Sequence, residues 1–222
     1  MTSSPLEPLD SDSFAEHATQ LAASDPALGA VVAAYGLPTF WRRPATFATL
    51  VLLVVEQQVS LASAKAVFDR MAVLLGGAVT PEAILGVTAD DLGRVGLTRQ
   101  KQRYVRLLAE EVAEGRLDLP GLAALPDAEA RSRLLALTGI GPWTADVYLL
   151  SALGRPDMWP VGDRALQVGV AEVLGLSTIP TAAELEPLGA PWRPVRAVAA
   201  RLVWHAYLLR RNRQETTFTT LT

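Results

Sequence analysis

The sequence predicts an all-α protein, and three observations carry that expectation. Helix-start chemistry recurs along the chain: Asp25 before Pro26, Thr80 before Pro81, Thr88 with Asp91, and Thr181 with Glu184. Apolar residues recur at helical spacing, whereas alternating strand patterns are nearly absent. Half of the residues are apolar, much of that Ala, Leu and Val, in a chain of 222 residues that is long enough for a proper core.

In chain order, Asp25 can cap a helix that begins at Pro26 and ends at Gly36. Phe47 to Gln57 and Ala62 to Leu75 read as buried helices joined at Val59-Ser60, with Ser60 as the cap of the second. Arg99 to Glu114 is amphipathic, with Tyr104, Leu107, Leu108 and Val112 on one stripe. Gly76 to Thr80 and Arg116 to Pro126 read as loops, and Pro191 and Pro194 start a last long helix that reaches about Arg210. The Thr-rich tail after Gln214 is expected to fray.

The stretch Leu134 to Asp163 is the most informative. It reads as a helix ending near Leu137, a Gly139-Ile140-Gly141 turn, a helix opened by Pro142, and an aspartate beyond a Pro-punctuated loop. Two glycines permit φ > 0 and close backbone approach, and Pro142 suits the first helical position. Amides at such a helix start suit a phosphate oxygen. A G-x-G alone would equally be an ordinary corner between helices; Asp163 tips the balance.

These residues resemble the helix-hairpin-helix DNA glycosylases. The pattern Leu137-x-Gly139-Ile140-Gly141-x-Trp143-Thr144-Ala145, then Asp157-Met158-Trp159-Pro160 and Asp163, is most similar to the 3-methyladenine glycosylase II (AlkA) branch. Asp25-Pro26-Ala27-Leu28, Glu56-Gln57-Gln58-Val59-Ser60, and Trp192-Arg193-Pro194 through Trp204 match that branch in order. The likeness runs from about Asp25 to Arg210. It implies two all-α lobes: a central six-helix lobe at 46–150, and a second lobe that joins residues 1–45 to 151–222, with the target base held in the cleft between them.

Composition narrows the chemistry. Cysteine is absent, so Cys-ligated iron–sulfur clusters and thiolate zinc sites are excluded. With only His17 and His205, a histidine-rich metal site is not expected. The cofactor expectation is none, apart from a monovalent cation at hairpin carbonyls. The net charge of −3 argues against a nucleic-acid partner, but its distribution weakens the objection. Five acids and no Lys or Arg precede Arg42; from there on, 20 basic residues face 18 acidic ones. Arg99 to Arg106 and Arg193 to Arg213 are basic without any acid, which reads as a DNA path or, more blandly, as solvated faces. The apolar run Thr49 to Val55 is too short to span a bilayer, and the acidic N-terminus lacks signal-peptide order. The expectation is a cytoplasmic monomer, nucleoid-associated if bacterial, that acts on damaged double-stranded DNA.

The resemblance implies the site. Asp163 would stabilise an oxocarbenium-like sugar and take a proton from the attacking water; otherwise it simply caps the helix Arg164 to Val173. Trp143 and Trp204 would stack on the base, with Tyr148 and Val147 beside them; otherwise they are core. Val147 and Arg164 stand where some members carry aromatics. Gly139, Ile140, Gly141 and Thr144, with Arg99 and Lys101, would contact DNA. Gln58 would plug the hole left by the flipped nucleotide, or merely cap a helix end. Bifunctional relatives carry a Schiff-base lysine where this chain has Trp143, and its only lysines are Lys65 and Lys101. The implied function is therefore a monofunctional alkylbase glycosylase that leaves an abasic site. The alternatives are a non-enzymatic helix-hairpin-helix DNA-binding module, or a glycosylase for another lesion class.

Overall fold

The computed structural model describes residues Glu7 to Arg213, so the tail expected to fray lies outside the described residues. These form twelve α-helices and no strand. They are α1 (Ser11–Ser24), α2 (Pro26–Tyr35), α3 (Phe47–Glu56), α4 (Leu61–Leu74), α5 (Pro81–Leu85) and α6 (Ala89–Arg94). There follow α7 (Arg99–Ala113), α8 (Asp127–Leu135), α9 (Pro142–Ser151), α10 (Arg164–Leu174), α11 (Ala182–Leu188) and α12 (Arg196–Leu209). Side-chain oxygens of Asp25, Ser60, Thr80, Thr88 and Thr181 accept amides at the helix starts that the sequence marks.

Two segments differ from the sequence expectation. The last helix starts at Arg196 because Pro191 lies in a 3-10 turn, Ala190–Trp192, and Arg193 is extended ahead of Pro194. A proline disfavours the helical conformation in the residue before it. The segment read as a loop at 116–126 contains a 3-10 turn, Pro120–Ala124. Helix α1 lies within residues 1–45, where the resemblance implies N-terminal helices; Asp10 and Ser13 form its capping box, and Phe14, Ala18 and Leu21 are its buried stripe.

The chain divides into two compact units. One comprises the described residues up to Arg42 and from Leu149 onward. Its core gathers Phe14, Leu28, Trp159, Leu166, Trp192 and Leu202 around α12, whose Ala197, Ala199, Ala200 and Ala206 are fully buried. Small residues let neighbouring helices approach: a Cβ on Gly169 of α10 would sit 2.5 Å from Val203 Cγ1. Arg201 is buried within this core, its guanidinium 4.4 Å from the Trp41 ring and 5.1 Å from that of Phe40, donating to Trp41 O. Aromatic faces there replace the hydration that a buried cation gives up.

The other unit, Arg43–Tyr148, is built on α3, where Leu50 to Val55 are all buried. A helix apolar on every side must be wrapped, and α3 packs against α4 and α7, with α5 and α6 also on α7. The buried pair Arg43–Glu56, two bonds of 2.9 and 2.8 Å, ties the start of this unit to the end of α3. The six-helix lobe that the resemblance implies holds seven α-helices, α3 to α9. The extra one arises where α5 stops at Gly86 and Thr88 caps α6 afresh.

Candidate nucleic-acid interface and aspartate site

The hairpin lies between α8 and α9. Leu137 N–H donates to Leu134 O and Ile140 N–H to Leu137 O, both at 3.1 Å, which closes the turn. Gly139 has φ of +92°, and a Cβ there would lie 2.4 Å from Tyr104 Cγ on α7; only glycine fits. Gly141 differs. It has no positive φ, and nothing lies within 4 Å of a Cβ built on it. Of the two properties expected of these glycines, Gly139 uses the freedom to adopt φ > 0, and Gly141 leaves open space in front of the backbone. Ala145 N–H is the one that bonds back to Gly141 O, at 3.0 Å. The amides of Gly141 and Thr144 therefore lie ahead of the helical ladder, where a helix start offers donors to an anion.

Ile140 and Thr144 face inward. Ile140 is 5% exposed and Thr144 1%, and Thr144 Oγ1 accepts from Gln57 Nε2 at 3.0 Å. Their side chains hold the hairpin's shape and do not reach for a ligand. Arg131 of α8 pairs with the buried Asp146 of α9, Nε to Oδ1 at 2.6 Å, and so staples the two helices across the turn.

The α3–α4 connection presents Gln58. Gln57 has φ −56° and ψ 124°, Gln58 has φ +60°, and Val59 N–H donates to Glu56 O at 3.4 Å. That is a type II turn with an exposed glutamine where glycine is favoured, and a non-glycine residue held there is strained by about 1 kcal/mol. The neighbouring Gln57 turns its side chain to the hairpin, where Nε2 donates to Gly139 O at 2.9 Å. Lys101, read as a DNA contact, instead donates to Val55 O at 2.8 Å and Gln57 O at 2.7 Å. Its partial burial lowers its pKa. Arg106 likewise donates inward, to Val87 O, whereas Arg99 and Arg103 are exposed along α7.

Asp163 opens α10 in the other unit. Its Oδ1 accepts the Leu166 amide at 2.7 Å and the Trp204 indole N–H at 3.0 Å. Capping, the bland reading of Asp163, is thus real and is shared with a tryptophan contact. The loop before it is well fixed. Arg196 donates through Nε to Asp157 Oδ1 at 2.8 Å, Ala197 N–H to Pro156 O, and Trp159 Nε1 to Leu185 O at 3.0 Å, while Trp159 packs edge-on against Trp192. The Asp157-Met158-Trp159-Pro160 motif is therefore a scaffold for the aspartate.

The remaining pocket residues divide by burial. Trp143 and Trp204 are half-buried. Val147 is 7% exposed and Tyr148 0%, so neither offers a surface on which a base could stack; in these two the core reading prevails. The Tyr148 hydroxyl is buried without a hydrogen-bond partner among the described residues, and burial pushes its pKa up. The arginine-rich stretch Arg193–Arg213 is mostly engaged internally. Arg193 and Arg196 meet Asp157, Arg201 sits in its aromatic cage, and Arg210 and Arg211 share Glu172, whose carboxyl they hold below its ordinary range. Among the described residues no cluster of His, Cys, Asp and Glu could hold a metal ion.

A family model described as HhH-GPD superfamily base excision DNA repair protein matches residues 51–194. The probable bifunctional transcriptional activator/DNA repair enzyme AlkA of Mycobacterium tuberculosis is 33% identical over 210 residues, 88% of this chain and 40% of that protein. The DNA-3-methyladenine glycosylase of Bacillus subtilis is 26% identical over 172 residues, 72% of this chain and 57% of that one. The chain thus spans about half the length of these curated relatives. The crystal structure of a DNA-3-methyladenine glycosidase from Bacillus halodurans is similar with a TM-score of 0.74 and 31% identity, covering 93% of this chain and 95% of that one.

Proposed function

This chain belongs to the HhH-GPD superfamily of base excision DNA repair proteins, and on that footing we propose that it is a monofunctional DNA glycosylase for alkylated bases. The observation that carries the reading is the double anchoring of Asp163 by an amide and an indole on one carboxylate oxygen. A carboxylate so fixed is suited to face positive charge that develops at a sugar carbon. As the C1′–N bond breaks, its electron pair leaves with the base; water adds at C1′ and its proton passes to Asp163. A base made cationic by alkylation is already a good leaving group, and the Trp143 face attracts it beyond what a neutral base feels.

DNA engagement follows from the other unit. The hairpin amides around Gly141 take a backbone phosphate, the exposed Arg99 at the start of α7 adds a cation for the duplex, and Gln58 enters the stack as the lesion nucleotide leaves. Extrusion costs a few kcal/mol. A covalent lysine step has no candidate: Lys101 is committed to Val55 O and Gln57 O, and Lys65 pairs with Asp69 at 2.5 Å. The carbonyls of Leu137 and Gly139 each retain a lone pair, which fits a weakly held monovalent cation near the phosphate; it takes part in no chemical step. No described helix is long and apolar enough to cross a membrane. The working state is a monomer on double-stranded DNA in the cytoplasm or nucleoid.

A panel of duplexes, each with one lesion among 3-methyladenine, 7-methylguanine, ethenoadenine and 1-methyladenine, tests this directly. We expect release of a free alkylated base and an intact abasic site, cut only by alkali. Binding to every duplex without release of any base would favour a non-enzymatic clamp in which Asp163 is only a helix cap. Release of oxidised or deaminated bases alone would reassign the lesion class, and borohydride trapping of an adduct would refute hydrolysis by water.

A further inference from the structure

We infer that Gln57 and Lys101 are positioning residues that couple the hairpin's hold on phosphate to the entry of Gln58 into the base stack. The inference rests on the reading of the hairpin as a clamp and Gln58 as the plug. Gln57 is held at both ends. Both amide hydrogens of its side chain are used on the hairpin, one on Gly139 O at 2.9 Å and one on Thr144 Oγ1 at 3.0 Å, on either side of Gly141. Its main-chain carbonyl receives Lys101 Nζ at 2.7 Å, and the same ammonium reaches Val55 O at 2.8 Å.

Helix α7, which carries Lys101, also brings the Tyr104 ring against Gly139. The turn that presents Gln58 and the turn that presents Gly141 are therefore bonded to each other and to one helix. Gln58 is adjacent to the doubly held residue and is kept at φ +60°, a conformation that persists only where its surroundings over-determine it. A phosphate seated at Gly141 consequently fixes where the Gln58 side chain must enter. Without the Gln57 bridge the phosphate could still be held, but the plug's position relative to it would be loose.

The test uses the full chain and a duplex with a tetrahydrofuran abasic analogue opposite 2-aminopurine, whose fluorescence reports insertion; affinity for undamaged duplex and melting temperature are read in parallel. Gln58→Ala should abolish the insertion signal. Gln57→Leu should keep affinity for undamaged duplex within about twofold while insertion slows about tenfold, the cost of one or two buried bonds. Lys101→Met should act in the same direction, and Lys101→Arg, which can still reach both carbonyls, should restore the rate. An unaltered insertion rate in Gln57→Leu, with Gln58→Ala impaired, would overturn the coupling alone. Normal insertion in Gln58→Ala would overturn the plug reading and the coupling with it. Equal losses of affinity and insertion in Gln57→Leu, tracking melting temperature, would reduce Gln57 to a stabilising role. If Gln57→Leu does not fold, the Lys101→Met and Lys101→Arg pair decides by the same criteria.

Discussion

The indole N–H of Trp204 and the main-chain N–H of Leu166 converge on a single oxygen of Asp163, at 3.0 and 2.7 Å. One side chain thereby begins α10 and, on the proposed reading, is the carboxylate that faces the sugar. The same device recurs in this unit, where Asp25 caps α2 through Oδ1 and accepts the Trp192 indole on Oδ2 at 2.8 Å. The two halves of Asp163's role can be separated by substitution.

Asp163→Asn keeps an oxygen for the Leu166 amide but removes the charge. Base excision should fall by about a thousandfold, with melting temperature and DNA affinity nearly unchanged. Single-turnover excision alongside thermal melting checks this. A stable variant with near-normal excision would remove Asp163 from the mechanism.

Trp204→Phe retains an aromatic ring and deletes the N–H. A hydrogen bond to a charged group contributes about 1.5–3 kcal/mol, so excision should slow roughly ten- to a hundredfold while damaged DNA is still bound. If the variant instead lost affinity and kept its rate, Trp204 would serve as a stacking wall and not as an anchor.

On the proposed reading, Trp143 carries the selectivity for charge. Trp143→Ala should reduce excision of 3-methyladenine or 7-methylguanine by about ten- to a hundredfold, the worth of one base–aromatic stack. Trp143→Phe should recover part of that for cationic lesions, because a phenyl face still attracts the cation, less strongly. Equal losses for charged and neutral lesions of similar shape would show that Trp143 supplies only shape.

The two hairpin glycines should fail differently. Gly139→Val meets both a left-handed backbone and the Tyr104 ring, so it should lower the melting temperature markedly. Gly141→Val has open space in the free protein and should leave stability intact while it weakens binding to damaged and undamaged duplexes alike, since amide–phosphate contacts carry no sequence information. Binding isotherms on both duplexes with parallel melts distinguish them. Loss confined to damaged DNA would assign Gly141 to lesion recognition.

What the sequence made legible is local. Asp25, Ser60, Thr80, Thr88 and Thr181 announce helix starts because a cap is a bond between residues two or three apart. The hairpin was readable for the same reason, through Gly139, Gly141 and Pro142. Missed roles belong to bonds that span the chain: Gln57 to Gly139 across 82 residues, Lys101 to Val55 across 46, Trp204 to Asp163 across 41. Nothing within a window of ten residues distinguishes a lysine that will meet two carbonyls from one that will meet solvent. The bounds of α1 are not marked by its residues alone, because acidic residues flank its Phe14, Ala18 and Leu21 stripe. Burial removed Tyr148 and Val147 from the stacking surface, which the sequence of α9 could not reveal because its polar Thr144, Asp146 and Ser151 are buried too.

The internal engagement of the Arg193–Arg213 guanidiniums bears on how this protein responds to ionic strength. Affinity for DNA falls with added salt by a logarithmic slope of about −0.9 for each phosphate that a protein cation neutralises, because counterions are released at each such contact. Main-chain amides at Gly141 release none, and Arg193, Arg196, Arg210 and Arg211 already have carboxylate partners within the fold. If the duplex is held as proposed, by these amides with Arg99 as the side-chain cation assigned to a phosphate, association with undamaged sequence should depend only shallowly on electrolyte, which favours brief, frequent sampling of many sites over long residence at any one of them.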